Sequence, residues 1–179
     1  MADLRIHTKA SRGIRNNNPF NIRKTPIKWQ GKAAVSLDAS FETFTTVENG
    51  IRAGALDIRG DIRKGKNTVR TLINEFAPPH ENNTDAYINF VSKIVGVTPD
   101  TIIQDTPATI YKLAAAIIAH ENKAIDRPLI TSKMIFDGVN SSYPPKAKQT
   151  AQATEIGLKT IADLGLFAIL FLIALILFK

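Results

Sequence analysis

The stretch Pro107-Ala108-Thr109-Ile110-Tyr111-Lys112-Leu113-Ala114-Ala115-Ala116-Ile117-Ile118-Ala119-His120-Glu121-Asn122 decides how this chain is read. Ile110, Leu113, Ala114, Ile117 and Ile118 follow the i, i+3, i+4, i+7, i+8 spacing of a helix that buries one face. Thr106 stands before it as an N-cap. Proline suits the first helical position, because its missing N–H would have no intrahelical partner there. The next position on the apolar stripe is Glu121. Carboxyl groups at the end of a buried face are partly desolvated and suited to hand a proton to a leaving group. The alternative has Glu121 turning to solvent or pairing with Lys123 or Arg127.

Working outward, the same helical period recurs upstream. Ile51, Ala55, Ile58 and Ile62 mark one face of a helix that starts near Glu48 and ends near Gly65. Val69, Leu72, Ile73 and Phe76 mark a second, entered through Asn67-Thr68 and stopped by Pro78-Pro79. Thr84 caps a third, with Tyr87, Phe90, Val91, Ile94 and Val95 inward and Gly96 closing it. Thr98-Pro99 predicts a short helix, and Leu129–Phe136 another that ends at Gly138. Between residues 16 and 47 the turn formers Asn16, Asn17, Asn18, Pro19, Pro26 and Gly31 break up short apolar pieces, which predicts loops and a small sheet. The fold class is mainly α.

The ends differ from this body. Residues 1–32 hold eight Lys and Arg against one acid, Asp3; eight minus one is the whole formal charge of +7. A basic end serves solubility or meets a polyanion, and charge alone does not choose which. Residues 1–15 read as a flexible basic arm without the apolar core of a signal peptide. Residues 16–139 form the domain. Residues 140–158, with Ser141, Ser142, Pro144 and Pro145, read as a linker. Residues 159–179 read as a C-terminal transmembrane helix: Leu164–Phe178 is apolar except for Gly165. Its length of roughly 22 Å as a helix is short of a ~30 Å hydrocarbon core, so the span extends to 161–178, with Asp163 near the interface.

Several chemistries are excluded. With no cysteine there is no disulfide framework, thiol nucleophile or cysteine metal cage. His7, His80 and His120 lack metal-ligand spacing, and no nucleophile elbow or phosphate-cradling loop is present, so neither metal nor organic cofactor is implied. Among other acids, Glu81 lies just before a helix start and is either a second catalytic candidate or a cap acting on the helix dipole. Glu42 sits in Phe41-Glu42-Thr43-Phe44, and Glu48 and Glu75 look like solvated helix residues. Trp29, in Trp29-Gln30-Gly31, and Tyr87 are candidate sugar platforms or core residues.

The segments Arg12-Gly13-Ile14-Arg15-Asn16-Asn17-Asn18-Pro19-Phe20-Asn21-Ile22-Arg23, Trp29-Gln30-Gly31, Phe41-Glu42-Thr43-Phe44 and Gly50-Ile51-Arg52-Ala53 resemble phage virion-associated muralytic proteins of the lysozyme-like and lytic transglycosylase superfamily. The likeness spans about residues 12–138. The usual form has Gly where Phe20 stands. The order of motifs is also similar to that of flagellar-type glucosaminidases. There, however, the acid-bearing helix comes first, whereas here Ile117-Ile118-Ala119-His120-Glu121-Asn122 follows Tyr87. A circular permutation reconciles the two orders.

The resemblance implies a lysozyme-like α+β domain that cuts the glycan strand of peptidoglycan, probing the bacterial wall from a membrane-associated place in the virion. Glu121 would be the catalytic acid with Glu81 next. Asn17, Asn18, Trp29 and Tyr87 would bind substrate. With one acid the expected reaction is that of a lytic transglycosylase, while a hydrolase needs a second, such as Glu81 or Glu42, about 5–9 Å away. Expected partners are the glycan strand, a membrane through residues 161–178 and other virion proteins, with no specific nucleic acid. The alternative is a non-catalytic, membrane-anchored virion structural protein that binds the wall, and a peptidase is a weaker third.

Overall fold

A computed structural model describes residues 1–36, 38–78 and 83–144. The chain divides into two compact units, 1–142 and 143–179, and the second lies almost wholly outside the described residues. The first unit is helical. A single turn, α1 (Arg12–Arg15), is followed by α2 (Val47–Arg63), α3 (Val69–Phe76), α4 (Thr84–Val95), α5 (Pro107–Glu121), a 3₁₀ helix (Ala124–Leu129) and α6 (Ser132–Ser141).

Most of these boundaries are local chemistry. Thr46, Thr68, Thr106 and Thr131 each accept a backbone N–H of the first turn that would otherwise lack a partner. Asn83, rather than Thr84, caps α4, and Gly96 ends it at φ 81°, a left-handed conformation that costs glycine little. Two expectations change. Thr98-Pro99 begins a turn closed by Thr101 N–H onto the Thr98 carbonyl, not a helix. Gly138 does not end α6. It lies inside the helix and faces α2, where a Cβ would stand 2.6 Å from Ile51 atoms, so glycine serves close packing there.

Helix α5 runs through the middle, and Ile110, Leu113, Ala114, Ile117 and Ile118 are all buried as the stripe requires. It packs against α2, α4 and α6, and α3 packs on α4. Ile51, Ile58, Leu72, Ile73 and Val91 complete a core in which each buried aliphatic side chain contributes about 1.5–3 kcal/mol. Phe20 is buried against Phe76, and its ring occupies the place a side chain at Gly54 would need. The phenylalanine at that motif position is therefore a core residue.

The expected fold class is corrected here. Among the described residues, segment 16–47 forms no strand. It makes only the isolated bridges Arg23 with Phe41 and Lys32 with Phe44, so the domain is not a lysozyme-like α+β fold. No described helix is long and apolar enough to cross a membrane, and the transmembrane helix expected at 159–179 lies outside the described residues. Residues 1–15, expected as a flexible basic arm, are fastened to the body and include the turn α1. Leu4 is buried, Ala2 N–H donates to Glu48, and the Ser11 hydroxyl donates to Asp126 at 2.6 Å. Glu48, expected to be solvated, is buried by this contact.

Candidate functional site

The last turn of α5 delivers Glu121 to the wall of a groove of about 770 Å³. Its other walls come from the loop Phe20–Arg23, Thr25 and Phe41, from Asp57, Asp61 and Lys64 on α2 and its end, and from Glu75 to Pro78 at the end of α3. Two donors hold the carboxylate. The Tyr87 hydroxyl donates to Oε1 at 2.9 Å, and the Asn21 side-chain amide donates to Oε2 at 2.9 Å. Neither Lys123 nor Arg127 makes an ion pair with Glu121 among the described residues.

Tyr87 is only 2% exposed. Its ring stacks on His120, with centroids 3.5 Å apart and planes 14° from parallel. Burial, the charge of Glu121 and the bond it donates all push the Tyr87 phenol well above the ordinary tyrosine range, so it stays a donor at any working pH. Partial burial of His120 lowers its pKa, with Glu121 acting in the opposite sense. The sequence leaves Tyr87 open between a sugar platform and a core residue, and its burial does not fit an exposed platform. The structure places it behind the acid instead.

The other predicted residues that the structure describes do not line the groove. Asn17 and Asn18 are fully buried in the loop. Asn17 accepts from Leu4 N–H and donates to Asp3 and the Phe44 carbonyl. Asn18 donates to the Ile22 and Glu42 carbonyls and accepts from Ile22 N–H. Trp29 is half-buried and lies apart from the groove's lining. Glu42 is fully buried, with Lys32 Nζ 2.9 Å from Oε2. Glu81 lies outside the described residues.

Sequence reasoning missed Asn21 and the acids of α2. Asp57 and Asp61 stand four residues apart on one face of the helix, a like-charge spacing that costs stability and was the available signal. Burial, then the charge of Asp61 and, more weakly, Glu75, raise the Asp57 pKa, while Lys64 and Lys66 act against them. Asp61 is paired with Lys64 at 3.1 Å. Among the described residues no group of His, Asp and Glu could hold a metal ion.

The fold and groove define a small helical protein that carries one doubly held carboxylate beside a cluster of acids. No protein-family model matches the sequence. Over 118 residues the chain is 38% identical to Protein P5 of Pseudoalteromonas phage PM2, a match that takes in 64% of this chain and 72% of that protein. The chain belongs to the family of that phage protein.

Proposed function

We propose that this phage protein cleaves the glycan strand of bacterial peptidoglycan as a lytic transglycosylase, with Glu121 as its acid and base, and that it is carried in the virion. The observation that carries the reading is the Glu121 carboxylate, held by Tyr87 and Asn21 on the wall of a groove of about 770 Å³. In this reaction Glu121 protonates the glycosidic oxygen as the bond from C1 breaks. It then takes the proton of the muramoyl 6-hydroxyl while that oxygen closes onto C1. One carboxyl group thus serves both halves of the reaction, and no water is consumed.

Asp57 favours a second reading. It lines the same groove, and its surroundings disfavour its charge. A second carboxyl group is what a hydrolase requires.

Digestion of purified peptidoglycan followed by mass spectrometry separates these readings. Anhydromuramoyl ends support the transglycosylase, whereas reducing ends support a hydrolase that uses Asp57. No products would leave a non-catalytic phage structural protein. Glu121→Gln should reduce the rate by about a hundredfold or more while the fold is kept, and near-wild-type digestion by that variant would remove Glu121 from the chemistry. Immunoblotting of gradient-purified phage particles tests the place in the virion.

A further inference from the structure

We propose that the loop Gly13–Asn21 is a positioning device for Glu121, in which the Asn21 side-chain amide fixes the carboxylate plane. The inference rests on the reading of Glu121 as the acid, and it gives the asparagine-rich motif a task other than binding sugar.

The Asn21 amide donates to a carboxylate one hundred positions away at 2.9 Å. Its backbone lies at φ 51°, a left-handed conformation that asparagine tolerates better than most non-glycine residues and that the surroundings hold here. Those surroundings are visible. Asn21 N–H donates to the Asn18 carbonyl at 2.9 Å, and the Asn18 side chain binds both the N–H and the C=O of Ile22. The turn is thus pinned on each side of Asn21.

The far end is tied to the same loop. Asn122, next to Glu121, donates from its side chain to the Pro19 carbonyl and to the Ile118 carbonyl, each at 2.9 Å. Gly13 lets the two parts meet. A Cβ there would stand 2.8 Å from Asn122 Oδ1, 2.9 Å from the Asn18 carbonyl oxygen and 3.1 Å from Asn21 Oδ1. Asn21 Oδ1 and Asn122 Oδ1 are both buried without a hydrogen-bond partner. Their side-chain nitrogens are the bonded ends, that of Asn21 on Glu121 and that of Asn122 on the Pro19 and Ile118 carbonyls.

With Asn21 on Oε2 and Tyr87 on Oε1, the carboxylate cannot rotate, yet each oxygen keeps a second lone pair for the proton in transfer. Such a hold acts by orientation and leaves the sugar contacts untouched. Asn21 is therefore a positioning residue, and its loss should appear in kcat and not in KM.

The test uses the full chain with soluble peptidoglycan fragments. Asn21→Ala should lower kcat about tenfold with KM unchanged, and Gly13→Ala should do the same by pushing the loop and helix end apart. Asn21→Asp, of the same shape, should be as impaired at neutral pH and should recover as the pH falls, because a protonated carboxyl group there is a donor again. Asn21→Ala should show no such recovery. Independently of activity, Asn21→Ala and Glu121→Ala should destabilise the protein non-additively in a denaturation cycle. An additive cycle, or unchanged kcat and pH profile in Asn21→Ala and Asn21→Asp, overturns the proposal. Wild-type protein that releases no fragments would sink the enzymatic reading instead, and the cycle would still decide whether Asn21 holds Glu121.

Discussion

Residues 1–46 and residues 47–142 satisfy their buried backbone by different means. In the helical part, helix hydrogen bonds pair the peptide groups, and the side chains between helices are apolar: Ile51, Ile58, Leu72, Ile73, Leu113 and Ile117. Among its described residues the N-terminal part has only isolated bridges and scattered backbone pairs, such as Glu42 N–H on the Ile22 carbonyl, so buried polar side chains share that work. Asn17, Asn18 and Glu42 are fully buried there and bind backbone groups of Leu4, Ile22, Thr25, Glu42 and Phe44. The difference matters for function. A loop built from directional bonds can fix one amide at one atom, and the candidate site lies on the seam where such a loop meets the end of an apolar helix.

The seam itself offers the hardest break. Gly50 on α2 lies against the Asn17 carbonyl, and a Cβ at position 50 would overlap that oxygen. Gly50→Ala should cost on the order of 4 kcal/mol in urea denaturation, far above the roughly 1 kcal/mol that alanine gains in helix propensity. A stability near wild type would show that the two regions are not pressed together there.

The two kinds of interior can then be compared by truncation. Leu113→Ala empties a fully apolar site and should cost about 3 kcal/mol. Asn18→Ala removes almost no apolar surface, yet it strands the Ile22 and Glu42 carbonyls and should still cost about 2 kcal/mol. A cost for Asn18→Ala below about 0.5 kcal/mol, typical of a surface position, would mean that the loop is held some other way.

Two aspartates, one in each region, should respond to pH with opposite sign. Although burial opposes it, bonds from the Ser40 backbone, the Asn16 amide, the Phe41 backbone and Arg12 hold Asp38 well below the usual carboxylate range. It therefore contributes stability that is present above the ordinary unfolded value of about 3.9 and lost as pH falls below it. Asp38→Asn should flatten the acid limb of the stability curve. Asp57 is raised, so its charge costs stability as pH climbs from that same value through the folded one. Asp57→Asn should raise the melting temperature at pH 7 slightly, by on the order of a degree or two. Equal responses from the two variants would erase the contrast.

The helices were legible because their signals are local. The stripe from Ile110 to Ile118, the caps Thr68 and Thr106 and the stop at Gly96 depend on neighbours within one or two turns, so a window of sequence contains their cause. The placing of Glu121 at the end of a buried face follows from the same period. Segment 16–47 misled for an equally physical reason. Short apolar pieces between turn formers look alike in a strand and in an extended loop, and what separates them is whether the backbone finds another strand or a buried asparagine.

What the sequence by itself determined is the order and extent of α2, α3, α4 and α5, the identity of the central helix and the carboxylate that ends it. Only the tertiary structure decided that Asn21, and not Asn17 or Asn18, meets that carboxylate, that Tyr87 donates to it from behind, and that Asp57 shares the groove. Those contacts join residues 34 to 100 positions apart. Their partners are chosen by which surfaces the core brings together, and no local period carries that information.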